Sequence, residues 1–271
     1  GEVGESQRGT EVQAAYTAGD DLLHMCYDFD FLSGTYPSGD QVAGVLERFQ
    51  RIVTEGWACW AYSNHDVVRH PSRWALEEPA LRAYAALLMS IQGSVCLYQG
   101  EELGLTEAYV AYEDLQDPYG KRFWPKFKGR DGARTPMPWT GEAANGGFTD
   151  ARPWLPVAVE HVERAVAVQE RDPSSTLAFY RAMIGFRKAH PALVKGTLEV
   201  LGHDEGSIAL MRAHEGRRVF CAFNLSGAPR EIRLPGPGWR LDRAAPFAVT
   251  EAADHVTLPP WQAAFAVADG G

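Results

Sequence analysis

Short, nearly continuous apolar runs alternate with amphipathic stretches up to residue 195, and a different texture follows. Leu22–Phe31, Trp57–Tyr62 and Ser94–Tyr98 are apolar with polar residues gathered at or just beyond their C-terminal ends, the pattern of parallel strands covered on both faces. Between them, Gln41 to Ile52 carries Val42, Val45, Leu46 and Phe49 at helical spacing. Pro79 opens a second helix with Leu81, Tyr84, Leu88 and Ile91 on one face and Gly93 as its stop. A third amphipathic helix carries Leu177, Tyr180 and Ile184, preceded by Asp172-Pro173-Ser174-Ser175-Thr176 and closed by His190-Pro191. From Gly196 onward, Thr197–Leu201, Ser207–Ala213, Arg218–Leu225, Glu231–Leu234 and Ala263–Val267 read as short strands. Turns such as Asp204-Glu205-Gly206 and Pro235-Gly236-Pro237-Gly238 separate them, as in an antiparallel sandwich. The pattern predicts two units, 1–195 and 196–271. The stretch 106–156, rich in Gly, Pro and aromatics, is too long for an idle connector and is expected to be an active-site loop.

Three strand–helix units fall short of a closed (β/α)8 barrel, which takes eight strands and about 250 residues. The 271-residue chain also begins without Met. The pattern itself predicts an α/β protein in which part of a (β/α) barrel is followed by a β-sandwich.

Composition narrows the function classes without choosing one. With 45% apolar and 23% charged residues the chain has a globular make-up. A net charge of −9 argues against nucleic acid as a partner. No apolar run approaches the roughly 20 residues of a membrane span, and no signal peptide opens the chain. Cys26, Cys59, Cys96 and Cys221 are widely spaced and read as free thiols, which fits a reducing, cytoplasmic setting. His24, His70 and His161 show no metal-ligand spacing.

The densest chemistry is Trp57-Ala58-Cys59-Trp60-Ala61-Tyr62-Ser63-Asn64-His65-Asp66, an apolar strand ending in an amide, an imidazole and a carboxylate. Read alone, Asn64-His65-Asp66 also fits a strand-ending Asx turn. Arg69 could pair with Asp66 or with carboxylates of a missing part, or form a plain surface ion pair. Arg130 and Arg134 lie in a loop with Pro136, Pro138 and Trp139, where a guanidinium can grip hydroxyls or a carboxylate; Arg134 fits a surface role equally well. Among the aromatics, Trp124 and Trp139, in the long loop, are the better candidates for ligand contact, whereas Trp60 and Phe29 fit a core.

Four segments together resemble glycoside hydrolase family 13, the α-amylase superfamily, in its bacterial α-glucosidase and oligo-1,6-glucosidase branch. They are Gly1-Glu2-Val3-Gly4-Glu5, Tyr62 to Pro71, Tyr98-Gln99-Gly100-Glu101-Glu102-Leu103-Gly104, and Gly129-Arg130-Asp131-Gly132-Ala133-Arg134-Thr135-Pro136-Met137-Pro138-Trp139. Their order and spacing follow the family across essentially the whole chain. The resemblance implies that the barrel part is the C-terminal half of a (β/α)8 TIM barrel, cut from a longer enzyme whose N-terminal half would be its partner. It further implies a retaining α-glucosidase acting on short α-glucoside oligosaccharides without a cofactor. It makes Glu5, which follows Val3-Gly4, the acid/base rather than Glu2, and Asp66 the carboxylate that supports the distorted sugar. His65 and Arg130 would bind substrate, with Arg69, Arg134 and Trp139 as further substrate contacts. A retaining mechanism needs a carboxylate nucleophile as well. The family places it in a part this chain lacks, and Asp28 and Asp30 look like ordinary strand residues, so the chain alone is expected to be inactive. Transglucosidases, sucrose isomerases and trehalose synthases share these motifs. A non-catalytic accessory protein on the same scaffold, or a metal hydrolase built on His65 and Asp66, are the readings from other classes.

Overall fold

The computed structural model describes residues 1–2, 8–32, 34–252 and 254–268. Helix α1 (Gly9–Thr17) leads to strand β1 (Cys26–Tyr27), helix α2 (Gly39–Ile52), strand β2 (Ala58–Trp60), and helices α3 (His70–Arg73) and α4 (Glu78–Leu88). Strand β3 (Ser94–Val95) follows, and β1, β2 and β3 form a parallel sheet in that order, with Tyr27 level with Cys59 and Cys59 level with Ser94. At the outer edge of β1, Glu2 bridges Tyr27 in parallel, so the first residues join the same sheet.

These strands are shorter than the apolar runs predict. Leu22 and Leu23 are exposed and outside any strand, and Met25 is exposed just before β1, so the first run is not a ten-residue strand. The ladder is nonetheless continued by single bonds, Asp28 N–H to the Cys59 carbonyl at 3.0 Å and Cys96 N–H to that of Trp60 at 2.9 Å. These extensions lift Asp28, Ser63 and Tyr98 to one carboxyl edge.

The helices follow their signals. Ser38 and Gln41 form a capping box that starts α2, whose Val42 and Leu46 are buried. Pro79 sits in the first turn of α4, and Leu81, Tyr84 and Leu88 are buried. Gly93 beyond it has φ 138°, and a Cβ there would lie 2.5 Å from Trp60 Nε1, so glycine is required for the turn into β3.

The long segment after β3 holds helix α5 (Pro118–Phe123) and two short helices, α6 (Val159–Val162) and α7 (Val166–Gln169). Helix α8 (Thr176–Ala189) begins where Ser175 caps it, and α9 (Pro191–Lys195) follows. The remainder is antiparallel: β4 (Thr197–Asp204), β5 (Ser207–His214), β6 (Arg217–Asn224), β7 (Arg230–Arg233), β8 (Trp239–Leu241), β9 (Thr250–Glu251), β10 (His255–Leu258) and β11 (Ala263–Ala268). They make a five-stranded sheet, β4-β5-β6-β11-β8, and a three-stranded one, β7-β10-β9. Strands β8, β9 and β10 escape the sequence pattern because they are short and flanked by Gly, Pro and charged residues.

The central strands of the five-stranded sheet, β5, β6 and β11, are buried on both faces, whereas the edge strand β4 is largely exposed. Ile208, Leu210, Val219, Cys221, Phe223 and Phe265 join one core with Trp60, Leu88, Tyr180 and Phe186, while Met211, Phe220, Ala222 and Ala264 pack on Val256 and Leu258 of the smaller sheet. Arg212, on the first face and fully buried, donates to the carbonyls of Ser90, Leu193, Gly196 and Thr197. Burial pushes its pKa down to about 10. One core therefore runs from the parallel sheet through the helices into the antiparallel part. Among the described residues no helix is long and apolar enough to cross a membrane.

Candidate active site

Strand β2 ends in buried Ala61, Tyr62, Ser63 and Asn64, after which the chain turns outward. The Asn64 side-chain oxygen accepts the N–H groups of Asp66 at 2.8 Å and Val67 at 3.1 Å. An Asx turn is thus present, but Asn64 makes it, which leaves the Asp66 carboxylate free to act outward.

Two guanidinium groups meet that carboxylate. Asp66 Oδ1 accepts from Arg130 Nη1 at 2.8 Å and from Arg134 Nη2 at 2.9 Å, and Oδ2 lies 3.6 Å from His65 Nε2. Arg134 also donates through Nε to the His65 carbonyl at 2.8 Å, so it fixes both residues of the pair. The Asp66 side chain keeps 38% of its surface exposed.

Arg130 is held from behind by a residue that sequence reasoning missed. Asp117, fully buried in its side chain, takes the Arg130 main-chain N–H and Nε at 2.9 Å each and Nη2 at 3.2 Å. Its own approach is fixed by Asp131, whose Oδ2 accepts the N–H groups of Gln116 and Asp117. The Arg130 hydrogen bond holds the Asp117 pKa down at about 2, and the same contact raises that of Arg130. Gly129 makes the contact possible: its φ is 82°, and a Cβ there would lie 2.8 Å from Gly120 Cα. The available signal was Asp117-Pro118, a helix N-cap followed by proline, with the Asp117 carboxylate capping Tyr119 at the start of α5.

The resulting arrangement is an alternating chain of charges, Asp117, Arg130, Asp66, Arg134, in which only the outer oxygen of Asp66 and the remaining guanidinium N–H groups face open space. Such a group binds hydroxyls well: a carboxylate accepts from them while guanidinium groups donate.

Other expected site residues fall elsewhere. Glu5 lies outside the described residues. Arg69 does not pair with Asp66 and is not on the surface: its guanidinium is buried and donates to the Gln99 carbonyl at 2.8 Å and the Ala133 carbonyl at 3.0 Å. Glu107 accepts its main-chain N–H at 2.9 Å. The Ala133 carbonyl accepts from the Tyr98 hydroxyl as well, so Arg69 and Tyr98 together tie the β3 edge to the 131–133 turn. Trp139 is half-exposed, with its main-chain N–H donating to the Gly146 carbonyl and its carbonyl accepting from the Ala167 N–H. Trp124 packs on Tyr112, and Trp60 is core. Asp30 pairs with Arg48, and Asp28 is buried with its pKa raised to about 7 by burial and then by Asp30; neither contacts Asp66. Behind the site, burial lowers the pKa of His70 to about 3, so it is a neutral partner of Ser63. All four cysteines are free thiols.

A sequence model of the family described as "Alpha amylase, catalytic domain" matches residues 2–196. The chain is 51% identical over 275 residues to a probable alpha-glucosidase of Rhizobium meliloti (strain 1021), covering 98% of this chain and 49% of that protein. It is 28% identical to an oligo-1,6-glucosidase of Heyndrickxia coagulans, covering 88% of this chain and 50% of that protein. Among solved structures, the alpha-glucosyl transfer enzyme XgtA superposes with a TM-score of 0.91 at 45% identity, over 99% of this chain and 50% of the other. The chain thus spans half the length, to within a percentage point, of these three proteins.

Proposed function

The chain belongs to the alpha-amylase catalytic-domain family, and from that premise we propose that it carries part of the active site of a retaining α-glucosidase acting on short α-glucosides. The division into a half-barrel, 1–195, and a sandwich, 196–271, belongs to the same proposal, as does a reducing, cytoplasmic setting. Retention requires a nucleophile and an acid that later acts as base. Glu5 is assigned the acid/base role, and the nucleophile is assigned to the half of such enzymes that this chain does not span, so the chain by itself is expected to be inactive.

The observation that carries the reading is the Asp66 carboxylate, oriented by two arginines at the carboxyl edge of the parallel sheet. A preorganised negative charge beside the sugar favours the positively charged, oxocarbenium-like transition state over the neutral ground state. His65 and the spare N–H groups of Arg130 and Arg134 are placed to bind sugar hydroxyls, which fixes the ring for attack. Asp66→Asn in the intact enzyme tests this, because the amide keeps the shape and loses the charge. Turnover of an aryl α-glucoside should fall by about 10²–10³ with the fold preserved. Near-normal turnover would reduce Asp66 to a structural ion-pair partner.

A second reading, glucosyl transfer to an acceptor other than water, is supported by the 45% identity to an alpha-glucosyl transfer enzyme. The ratio of transfer products to free glucose at high acceptor concentration separates the two.

A further inference from the structure

Helix α5 projects from the loop lobe beside the Asp66 group, and the eight residues Lys121 to Lys128 carry four positive charges in a chain of net charge −9. Lys121, Arg122, Lys126 and Lys128 are all exposed, and among the described residues none of them has an ion pair with a carboxylate. Exposed cations elsewhere, such as Arg51, Lys188 and Lys195, also lack one among the described residues, so what distinguishes this group is its density, four in eight residues.

Aromatic rings underlie these cations. Tyr119 and Phe123, one turn apart on α5, stack with centroids 6.3 Å apart and planes at 16°, and they remain 58% and 47% exposed. The Arg130 guanidinium, which reaches Asp66 at 2.8 Å, lies 5.6 Å from the centre of the Tyr119 ring. Arg122 lies over Phe123 at 5.5 Å. A shelf of contacts therefore runs from the arginine that orients Asp66, across two flat rings, to Arg122, with Lys121, Lys126 and Lys128 within six residues of it in sequence.

We propose that this shelf binds the half of the ligand beyond the glucose held at Asp66, and that it selects ligands bearing an acid group, a carboxylate or a phosphate, on that half. The inference rests on the α-glucosidase reading and adds to it the chemistry of the aglycone. Unpaired cations in an otherwise acidic chain create a local positive field that attracts anions. The exposed rings offer apolar faces to the flat or CH-rich portion of the ligand. Arg122 lies over Phe123 and Lys128 over Tyr109, so two of the four cations sit on exposed rings of the same lobe.

The test compares 4-carboxyphenyl α-glucoside with its neutral methyl ester on the intact enzyme. The measured quantity is the ratio of kcat/KM for acid over ester, which is then remeasured after Lys121, Arg122, Lys126 and Lys128 are all replaced by Gln. Taking the ratio between enzymes cancels the different leaving groups. The ratio should fall about tenfold, within the range of electrostatic attraction to charged sites. In the unaltered enzyme it should also fall as ionic strength rises from about 0.02 M to about 0.5 M and screening shortens. Phe123→Ala should raise KM for both substrates alike. A 4-phosphonophenyl arm separates the acid types: a larger loss than with the carboxylate marks a phosphate-type site, an equal loss a single-carboxylate site. An acid/ester ratio unchanged within twofold overturns the proposal. So does an unchanged ratio accompanied by a change in molar mass by light scattering, which would assign the lobe to a macromolecular partner. If the unaltered enzyme cleaves neither compound, the glycosidase reading itself has failed; if it cleaves the ester without any acid preference, only the present inference has.

Discussion

Asp117→Asn is the perturbation whose effect follows most directly from the geometry. The carboxylate accepts three N–H groups of Arg130 and one of Tyr119. An amide must present its NH2 group on one side. With that group in place of Oδ2 it opposes the Arg130 main-chain N–H and Nε; in place of Oδ1 it opposes Tyr119 N–H and Arg130 Nη2. Either way a buried donor pair replaces a charge-assisted pair, costing about 2–4 kcal/mol. The same Arg130 hydrogen bond holds the carboxyl down at about 2, so the contact favours its charged form. Because the folded pKa is depressed, this contribution is present above pH 4 or so and is lost as pH falls toward 2. Part of the loss should reach catalysis, because Arg130 would no longer be aimed at Asp66. If about 2 kcal/mol is felt in the transition state, kcat/KM falls about 30-fold. The assay is hydrolysis of an aryl α-glucoside by the intact enzyme, alone and in the Asp66→Asn background. Asp117 acts through Arg130 on Asp66, so the second substitution should cost far less once Asp66 is neutral. An equal loss in both backgrounds, or no loss in the first, refutes the positioning role.

Arg212→Met should lower the denaturant midpoint of the folded protein by an amount corresponding to about 2–4 kcal/mol, since four buried carbonyls lose their donor, and Arg212→Lys should recover part of it. Glu101, fully enclosed and bonded to Tyr180, has its pKa raised to about 7, chiefly by burial. A raised carboxyl pKa contributes stability below about pH 4.5 that is lost as pH rises through 7, so thermal unfolding should show Glu101→Gln gaining on the unaltered protein across that interval.

Much of the scaffold was legible because its signals are local. Ser38 with Gln41, Pro79, and Ser175 before Leu177 mark helix starts within a few residues, and β5, β6 and β11 carry unbroken apolar runs. The parallel strands were overextended, because apolar side chains at Leu22 and Leu23 do not reveal whether a neighbouring strand is there to pair with. In the site, Asp66, His65, Arg130 and Arg134 were named and are brought together. Their connection through Asp117 spans 13 residues to Arg130, and the ion pair from there to Asp66 spans 64, distances at which no periodicity operates. Arg69 was misplaced for the same reason: three residues from Asp66 in sequence, it turns inward to carbonyls 30 and 64 positions away.

The five-stranded sheet, whose central strands are covered on both faces, bears on how such chains can be recombined. A crossover between relatives at the 195/196 junction would join a sheet shaped for one set of helices to the helices of another. The mismatch would fall on Leu210, Cys221 and Phe265 against Leu88, Tyr180 and Phe186, and on the one arginine that reaches back to Ser90. The tight turn at Glu215-Gly216, where both residues have positive φ and Glu215 is largely exposed, is a more tolerant place for insertion or fusion. The inherited unit is therefore the layer of helices together with the sheet that roofs it, and chimeras that keep Arg212 with its four carbonyls should fold where chimeras that separate them do not.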